Sequence, residues 1–389
     1  MDFSKYIADR VLEIPRSGIR DFFEVVQTMT DVISLGIGEP DYVTPWRIRE
    51  AAIFAMEKGK TGYTSNLGTP RLRQAISRYI TQRADVAYDP ATEILVSVGV
   101  SEALDLALRA LLNPGDEVIY HEPSYVSYNP SIALCYAKPV AIQTSEEHEF
   151  RLLAERIECA VTPRTKALLL SFPTNPTGGV LGLVDLEAIA EVCRRHDLLV
   201  LSDEIYSELV YDIGKHVSIA ALPEMKDRTI MLNGCSKSYA MTGFRVGYAC
   251  APSPIIEAMM KVHQYAIMCA SNMSQEAAIE ALENCQNTVE AMRSDYERRR
   301  NFVVKRFNEI GLPCHLPKGA FYAFPRIATT GLKSTDFSLQ LLKAKRVAVV
   351  PGNAFGPSGE GYVRCCFATG MEKLKEALDR IENFVEHVK

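Results

Sequence analysis

The segment Asn233-Gly-Cys-Ser-Lys237-Ser-Tyr-Ala-Met-Thr-Gly-Phe-Arg245-Val-Gly247 sets a lysine just past an apolar run and between small residues, with an arginine eight positions on. Desolvation and a nearby cation lower a lysine's pKa, and the neutral amine is then a nucleophile that can form a Schiff base with a carbonyl. Arg245 offers the forked donors that hold an anion such as phosphate. Taken alone, such a lysine reads as a surface charge.

Three further segments bear on it. In Ser97-Val-Gly99-Val-Ser101-Glu-Ala-Leu a strand passes through a glycine turn into a helix. Backbone N–H groups, the Ser101 hydroxyl and the helix dipole would there face a phosphate. By itself the serine is equally an N-cap. In Leu-Ser-Asp203-Glu-Ile-Tyr206 an aspartate follows the apolar run Leu198–Leu201. Ligands of open α/β sheets bind beyond the carboxyl ends of strands. A carboxylate there can keep a ring nitrogen protonated and make a bound pyridine an electron sink; it can also be a plain helix cap. In Ser171-Phe-Pro-Thr-Asn175-Pro-Thr-Gly-Gly two prolines stiffen the loop around Asn175 and can aim its amide at a ligand, although a simple turn reads the same way. The chain has no G-x-G-x-x-G and no G-x-x-x-x-G-K-[ST], so dinucleotides and nucleoside triphosphates find little support.

These residues need strands whose ends converge. Near-continuous apolar runs at Ile94–Val98, Glu117–Tyr120, Pro139–Gln143, Ala167–Ser171, Leu198–Ser202 and Thr229–Asn233 read as strands of a parallel sheet buried on both faces. Helical patterns such as Glu102–Leu112 and Leu183–His196 alternate with them, which makes the chain α/β. After about residue 275 the pattern changes. Gln275 to Ile310, with Arg298-Arg299-Arg300, reads as one extended solvent-facing helix; short strands at Ala320–Pro325 and Val347–Val350 and an amphipathic helix at Met371–Val388 follow. The chain has 389 residues, 47% hydrophobic and 23% charged, with a net charge of −5. That is a folded protein with a full core and no general basic footprint for nucleic acid. The start lacks a signal-like apolar region and no run approaches the ~20 residues of a membrane helix, so a cytoplasmic protein is expected. Ten cysteines lack any C-x-x-C and read as reduced core thiols; seven histidines lack ligand spacing, so no metal is expected.

In this order, the four segments resemble those of the class I/II pyridoxal-phosphate aminotransferases of fold type I, the aspartate aminotransferase superfamily, from about Leu35 to the C-terminus. The resemblance implies a mostly parallel sheet in a large domain (46–275), an N-terminal arm with part of a small domain (1–45), and a small α+β domain (276–389) completed by both chain ends. It implies pyridoxal 5'-phosphate as cofactor and a homodimer with shared sites. Lys237 then resembles the Schiff-base lysine and proton shuttle, and Asp203 the partner of the pyridine nitrogen. Tyr206 and Asn175 would donate to the cofactor's phenolic oxygen, and Tyr125 would stack on its ring. Val100, Ser101 and Arg245 would grip the phosphate, with Ser236 as a further contact. Tyr63 would reach the phosphate of the neighbouring subunit. Arg364 would clamp the substrate α-carboxylate, with Asn175 and the Gly36 backbone beside it, and Ile14-Pro-Arg-Ser-Gly-Ile-Arg20 would lie near the entrance by analogy.

Two departures stand out. Gly234 occupies a position where many relatives have serine. Glu102 follows Ser101 where some aspartate-specific relatives have lysine, which argues mildly against aspartate as donor. The activity implied is ping-pong transfer of an amino group from an L-amino acid to a 2-oxo acid, with 2-oxoglutarate as acceptor on family grounds. The motifs serve aspartate, alanine, aromatic or N-acyl-diaminopimelate donors alike. A cystathionine β-lyase-like C–S lyase shares nearly all these residues and is the alternative. A ligand-sensing regulator would need an added N-terminal DNA-binding domain, for which a pattern starting near residue 35 leaves no room.

Overall fold

The computed structural model describes residues 1, 3–14 and 29–388, so residues 15–20 of the expected entrance segment lie outside the described part. The strands in chain order are β1 (Ile33–Ser34), β2 (Ile94–Ser97), β3 (Glu117–Glu122), β4 (Lys138–Gln143), β5 (Thr165–Ser171) and β6 (Leu199–Asp203). They continue with β7 (Thr229–Gly234), β8 (Gly247–Cys250), β9 (Tyr322–Ala323), β10 (Val347–Ala348), β11 (Val350–Pro351) and β12 (Val363–Cys366). Seven of them form one sheet in the order β2-β8-β7-β6-β5-β3-β4. Only β8 runs antiparallel to its neighbours, β2 and β7.

The expected α/β architecture is therefore present, and its cause is visible in the strands. All residues of β2, β7 and β8, and Ala167–Ser171 of β5, are buried, as a sheet covered on both faces requires. Helix Val100–Leu111 buries Ala103, Leu104, Leu106, Ala107 and Leu108, at about 1.5–3 kcal/mol for each large apolar side chain fully removed from water. Strand β8 went unread in the sequence because it is four residues long and opens on a glycine.

A second core joins Leu35, Tyr322, Val349 and Cys365 to the inner face of the last helix, Met371–Val388. That helix turns Leu374, Ala377, Leu378, Ile381, Phe384 and Val385 inward, the three-and-four spacing of one helical face. Strand β1 pairs in parallel with β10, so the start of the chain helps to build the structure formed by its end. The run Val347–Val350 is two strands: β10 pairs with β1, and β11 with β12.

The expected single helix from Gln275 to Ile310 is corrected to two, Asn272–Asn284 and Gln286–Ile310, broken at buried Cys285 (φ −114°, ψ 21°). Nor is the arginine triplet solvent-facing. Arg298 is exposed, but Arg299 bridges Asp41 and Asp295, and Arg300, only 2% exposed, holds Asp212 and the Pro317 carbonyl. Buried guanidinium groups are tolerated because each is paired and hydrogen-bonded. All ten cysteines are free thiols; seven are buried, while Cys159 is exposed and Cys135 and Cys269 are half-buried, so "core thiol" fits seven of them.

Candidate active site

The carboxyl ends of β5, β6 and β7 open into a cavity of about 590 Å³. In the parallel register Ser171 lies beside Asp203, so the two strand ends bring serine and aspartate to its floor. The Asp203 carboxylate accepts hydrogen bonds from the Tyr128 hydroxyl at 2.8 Å and the Ile205 N–H at 3.2 Å. The same Tyr128 oxygen lies 2.7 Å from the Ser171 hydroxyl. Burial pushes the Asp203 carboxyl up to about 6, against the lowering effect of those two donors.

One end of the cavity is shaped for an anion. Gly99, in the left-handed region at φ +79°, turns the chain from β2 into helix Val100–Leu111. A Cβ on Gly99 would lie 2.5 Å from Arg245 Nη2, and one on Gly247 would lie 2.6 Å from the Val100 nitrogen. The glycines therefore let the guanidinium, the helix N-terminus and the start of β8 share a space that side chains would fill. Gly234 belongs to this same close approach: a Cβ there would meet the Gly247 Cα at 3.0 Å. Ser101, Ser236 and Arg245 line this end.

At the other end Arg364, on β12, donates to Asn175 Oδ1 at 2.9 Å and to the Gly36 carbonyl at 2.5 Å. Among the described residues its buried Nε has no hydrogen-bond partner, a donor left over for a ligand. The guanidinium lies between the rings of Tyr322 and Phe355, 4.5 and 4.8 Å from their centroids. Between the two ends, the Lys237 amine donates to the Gly38 carbonyl at 2.7 Å. Burial, reinforced by Arg364 and Arg245, brings this amine down to about 8, against the opposing influence of Glu39.

Of the residues singled out in the sequence, Gly36, Val100, Ser101, Tyr125, Asn175, Asp203, Tyr206, Ser236, Lys237, Arg245 and Arg364 all line this one cavity. Tyr63 is not in it and is 83% exposed in the single chain. Gly36 offers Arg364 its carbonyl. Glu102 is corrected: it faces away from the cavity, accepting from the Val98 N–H and pairing with buried His263 at 2.8 Å. Its carboxylate is engaged within the fold, beside the start of helix Val100–Leu111. Tyr128, Ser171, Thr242 and Tyr322 line the cavity and were missed. Tyr128 could have been found, since it follows Tyr125 in the same short segment; Tyr322 sits in an apolar run and gave no signal.

A half-buried lysine, a buried carboxylate, a glycine-lined turn beside an arginine and a second, buried arginine meet around one cavity of an α/β fold. The chain belongs to the class I and II aminotransferase family, whose model matches residues 30–381. It has the fold type I architecture and is a transaminase. It is 52% identical over 382 residues to a putative aminotransferase, YugH, of Bacillus subtilis (strain 168), covering 98% of this chain and 99% of that protein. It is 49% identical to an aspartate aminotransferase of Pyrococcus abyssi, again over 98% of this chain and 99% of the relative. The crystal structure of an aromatic aminotransferase from Pyrococcus horikoshii OT3 superposes with a TM-score of 0.90 at 48% identity, covering 95% of this chain and 99% of that one.

Proposed function

We propose that the chain uses pyridoxal 5'-phosphate to move an amino group from an L-amino acid to a 2-oxo acid, with 2-oxoglutarate as the acceptor, by a ping-pong mechanism. The observation that carries this reading is the half-buried amine of Lys237, hydrogen-bonded to the Gly38 carbonyl and set between the anion cradle and Arg364 with Asp203 on the cavity floor. The donor set suits the cofactor: a cradle kept open by glycine for phosphate, a carboxylate for a ring nitrogen, hydroxyl and amide groups for a phenolic oxygen. When bound, the cofactor supplies an electrophilic carbonyl and a ring that withdraws electrons.

The protein's residues then divide the work. Lys237 would supply the amine that holds the cofactor's carbonyl and a base suited to moving the α-proton near neutral pH. Asp203, held by Tyr128, would keep a proton on the ring nitrogen. Val100, Ser101, Ser236 and Arg245 would bind the phosphate, Tyr125 would cover the ring, and Tyr206 and Asn175 would donate to the phenolic oxygen. Arg364, with Gly36 and Asn175 beside it, orients the α-carboxylate.

Trp46, Phe54, Met56, Tyr63, Tyr265 and Ile267 are large apolar side chains exposed in the single chain, which supports a homodimer in which Tyr63 reaches the neighbouring site. The chain divides at about residues 45 and 275 into arm, large domain and small domain, and works in the cytoplasm. The names of the Pyrococcus relatives put aspartate and aromatic donors first on the list to try.

Visible absorbance of the protein loaded with pyridoxal phosphate tests this directly. A band that bleaches with a donor amino acid and returns with 2-oxoglutarate is the expected result. No band, or pyruvate and ammonia released from cystathionine without an oxo-acid acceptor, would refute it. Arg364→Ala is expected to raise the KM for amino acids by about 100-fold, as loss of a charged bidentate contact costs roughly 2–3 kcal/mol. An unchanged KM for every donor would remove Arg364 from that role.

A further inference from the structure

The Tyr206 and Tyr322 hydroxyl oxygens lie 2.8 Å apart, between rings that meet edge to face at 5.9 Å and 79°. Both side chains are buried, both line the cavity, and among the described residues neither hydroxyl has another hydrogen-bond partner. The pair owns two protons and one bond joins it, so one proton is spare. The Tyr322 oxygen faces the backbone of Gly38, where a Cβ would lie only 2.3 Å away. An apolar Cα surface accepts no proton, which leaves Tyr206 as the member able to donate into the cavity.

We propose that Tyr322 is a positioning residue: it donates to the Tyr206 hydroxyl and so aims the Tyr206 proton at the cofactor's phenolic oxygen, while its ring covers the Arg364 guanidinium. This inference rests on the cofactor reading above. A hydroxyl that accepts one hydrogen bond becomes a stronger donor in the next, by about a tenth to a third of a bond. Tyr322 thus meets two lining side chains at once: its hydroxyl meets Tyr206 and its face meets Arg364 at 4.5 Å. Gly38, whose carbonyl accepts from Lys237, has no side chain to compete for that space.

The test is the pH midpoint of the visible band of the cofactor-loaded protein in wild type, Tyr322→Phe, Tyr206→Phe and the double variant. A donor to the phenolic oxygen favours its ionised form, so losing that donor raises the midpoint. Tyr206→Phe is expected to raise it by roughly 1–2 pH units, the worth of a hydrogen bond to a charged group. Tyr322→Phe is expected to raise it by about 0.3–0.6 unit through the weakened Tyr206 bond. In the Tyr206→Phe background, Tyr322→Phe should add nothing, and the thermal midpoint of the cofactor-free single variant should stay at the wild-type value. The KM for the amino acid should change by less than about twofold, because phenylalanine keeps the ring over Arg364.

An unmoved midpoint in Tyr322→Phe overturns the inference, as does a shift that persists in full without the Tyr206 hydroxyl. A KM raised more than about tenfold with the midpoint unmoved assigns Tyr322 to the carboxylate end and overturns it also. A wild-type protein that takes up no cofactor overturns the reading of the site and this inference with it, so the two failures are distinguishable.

Discussion

Replacing Lys237 by alanine is expected to lower amino-group transfer by about 10,000-fold or more, since the proposed base and the proposed point of attachment of the cofactor are lost together. The structure makes the loss specific. The amine is the cavity's one lysine nitrogen among the described residues, and it hangs between Arg364 at one end and Arg245 at the other. Arginine stays protonated, so neither neighbour can take its place as base. The anion cradle of Gly99, Val100, Ser101 and Arg245 is untouched by the change, so the variant should still take up pyridoxal phosphate, held by its phosphate and removable on a desalting column. The removed side chain leaves room near the Gly38 carbonyl, and millimolar methylamine is expected to restore a measurable part of the rate. The measurement is single-turnover bleaching of the visible band by a saturating amino acid, with and without added amine. Wild-type transfer by the alanine variant would end the assignment of Lys237.

How far the sequence could be read depended on whether a residue's role was written in its neighbours. The strands ending at Ser171, Asp203 and Gly234 were legible because burial on both faces demands unbroken apolar runs. Asp203 at its strand's end and Asn175 and Lys237 just past theirs stood out because polar groups there need a reason. Arg299 and Arg300 misled: a triplet of arginines looks solvent-facing until partners distant in sequence, Asp41 and Asp212, come into contact with it. Glu102 misled differently, since its place beside Ser101 points to the cavity while its rotamer turns it to His263 and the Val98 N–H. Tyr322 was illegible because one hydroxyl among Phe321, Tyr322 and Phe324 looks like core until Tyr206 stands opposite it. Pairings between residues 88 to 258 positions apart leave no periodic trace in one sequence.

Asp203→Asn is expected to abolish most of the activity while making the cofactor-free protein more stable at neutral pH. The cost of the native aspartate can be followed through its ionisation. Its carboxyl titrates near 6 in the folded protein against 3.8 as the ordinary value, because burial disfavours the charged form. Between those values the folded state binds more protons than the unfolded one, so stability falls as pH rises from about 4 to about 6. Above that window the full penalty is present, roughly 3 kcal/mol for a shift of about two units. Asparagine carries no charge and escapes it; its carbonyl can still accept from the Ile205 N–H, and Tyr128 keeps Ser171 as a partner. The cofactor-free Asp203→Asn protein should therefore match wild type near pH 4 and melt several degrees higher at pH 7–8, by ~2 °C or more for a domain of this size. Activity should move the other way, by about 1,000-fold or more, because only an anion opposite the ring nitrogen keeps that nitrogen protonated. Melting curves of the two cofactor-free proteins from pH 4 to 8, set beside their transfer rates, separate the effects. A variant that melts below wild type at pH 8 would mean that Asp203 is retained for packing, whereas a more stable and inactive one identifies a charge kept in the core at the expense of stability for the sake of its chemistry.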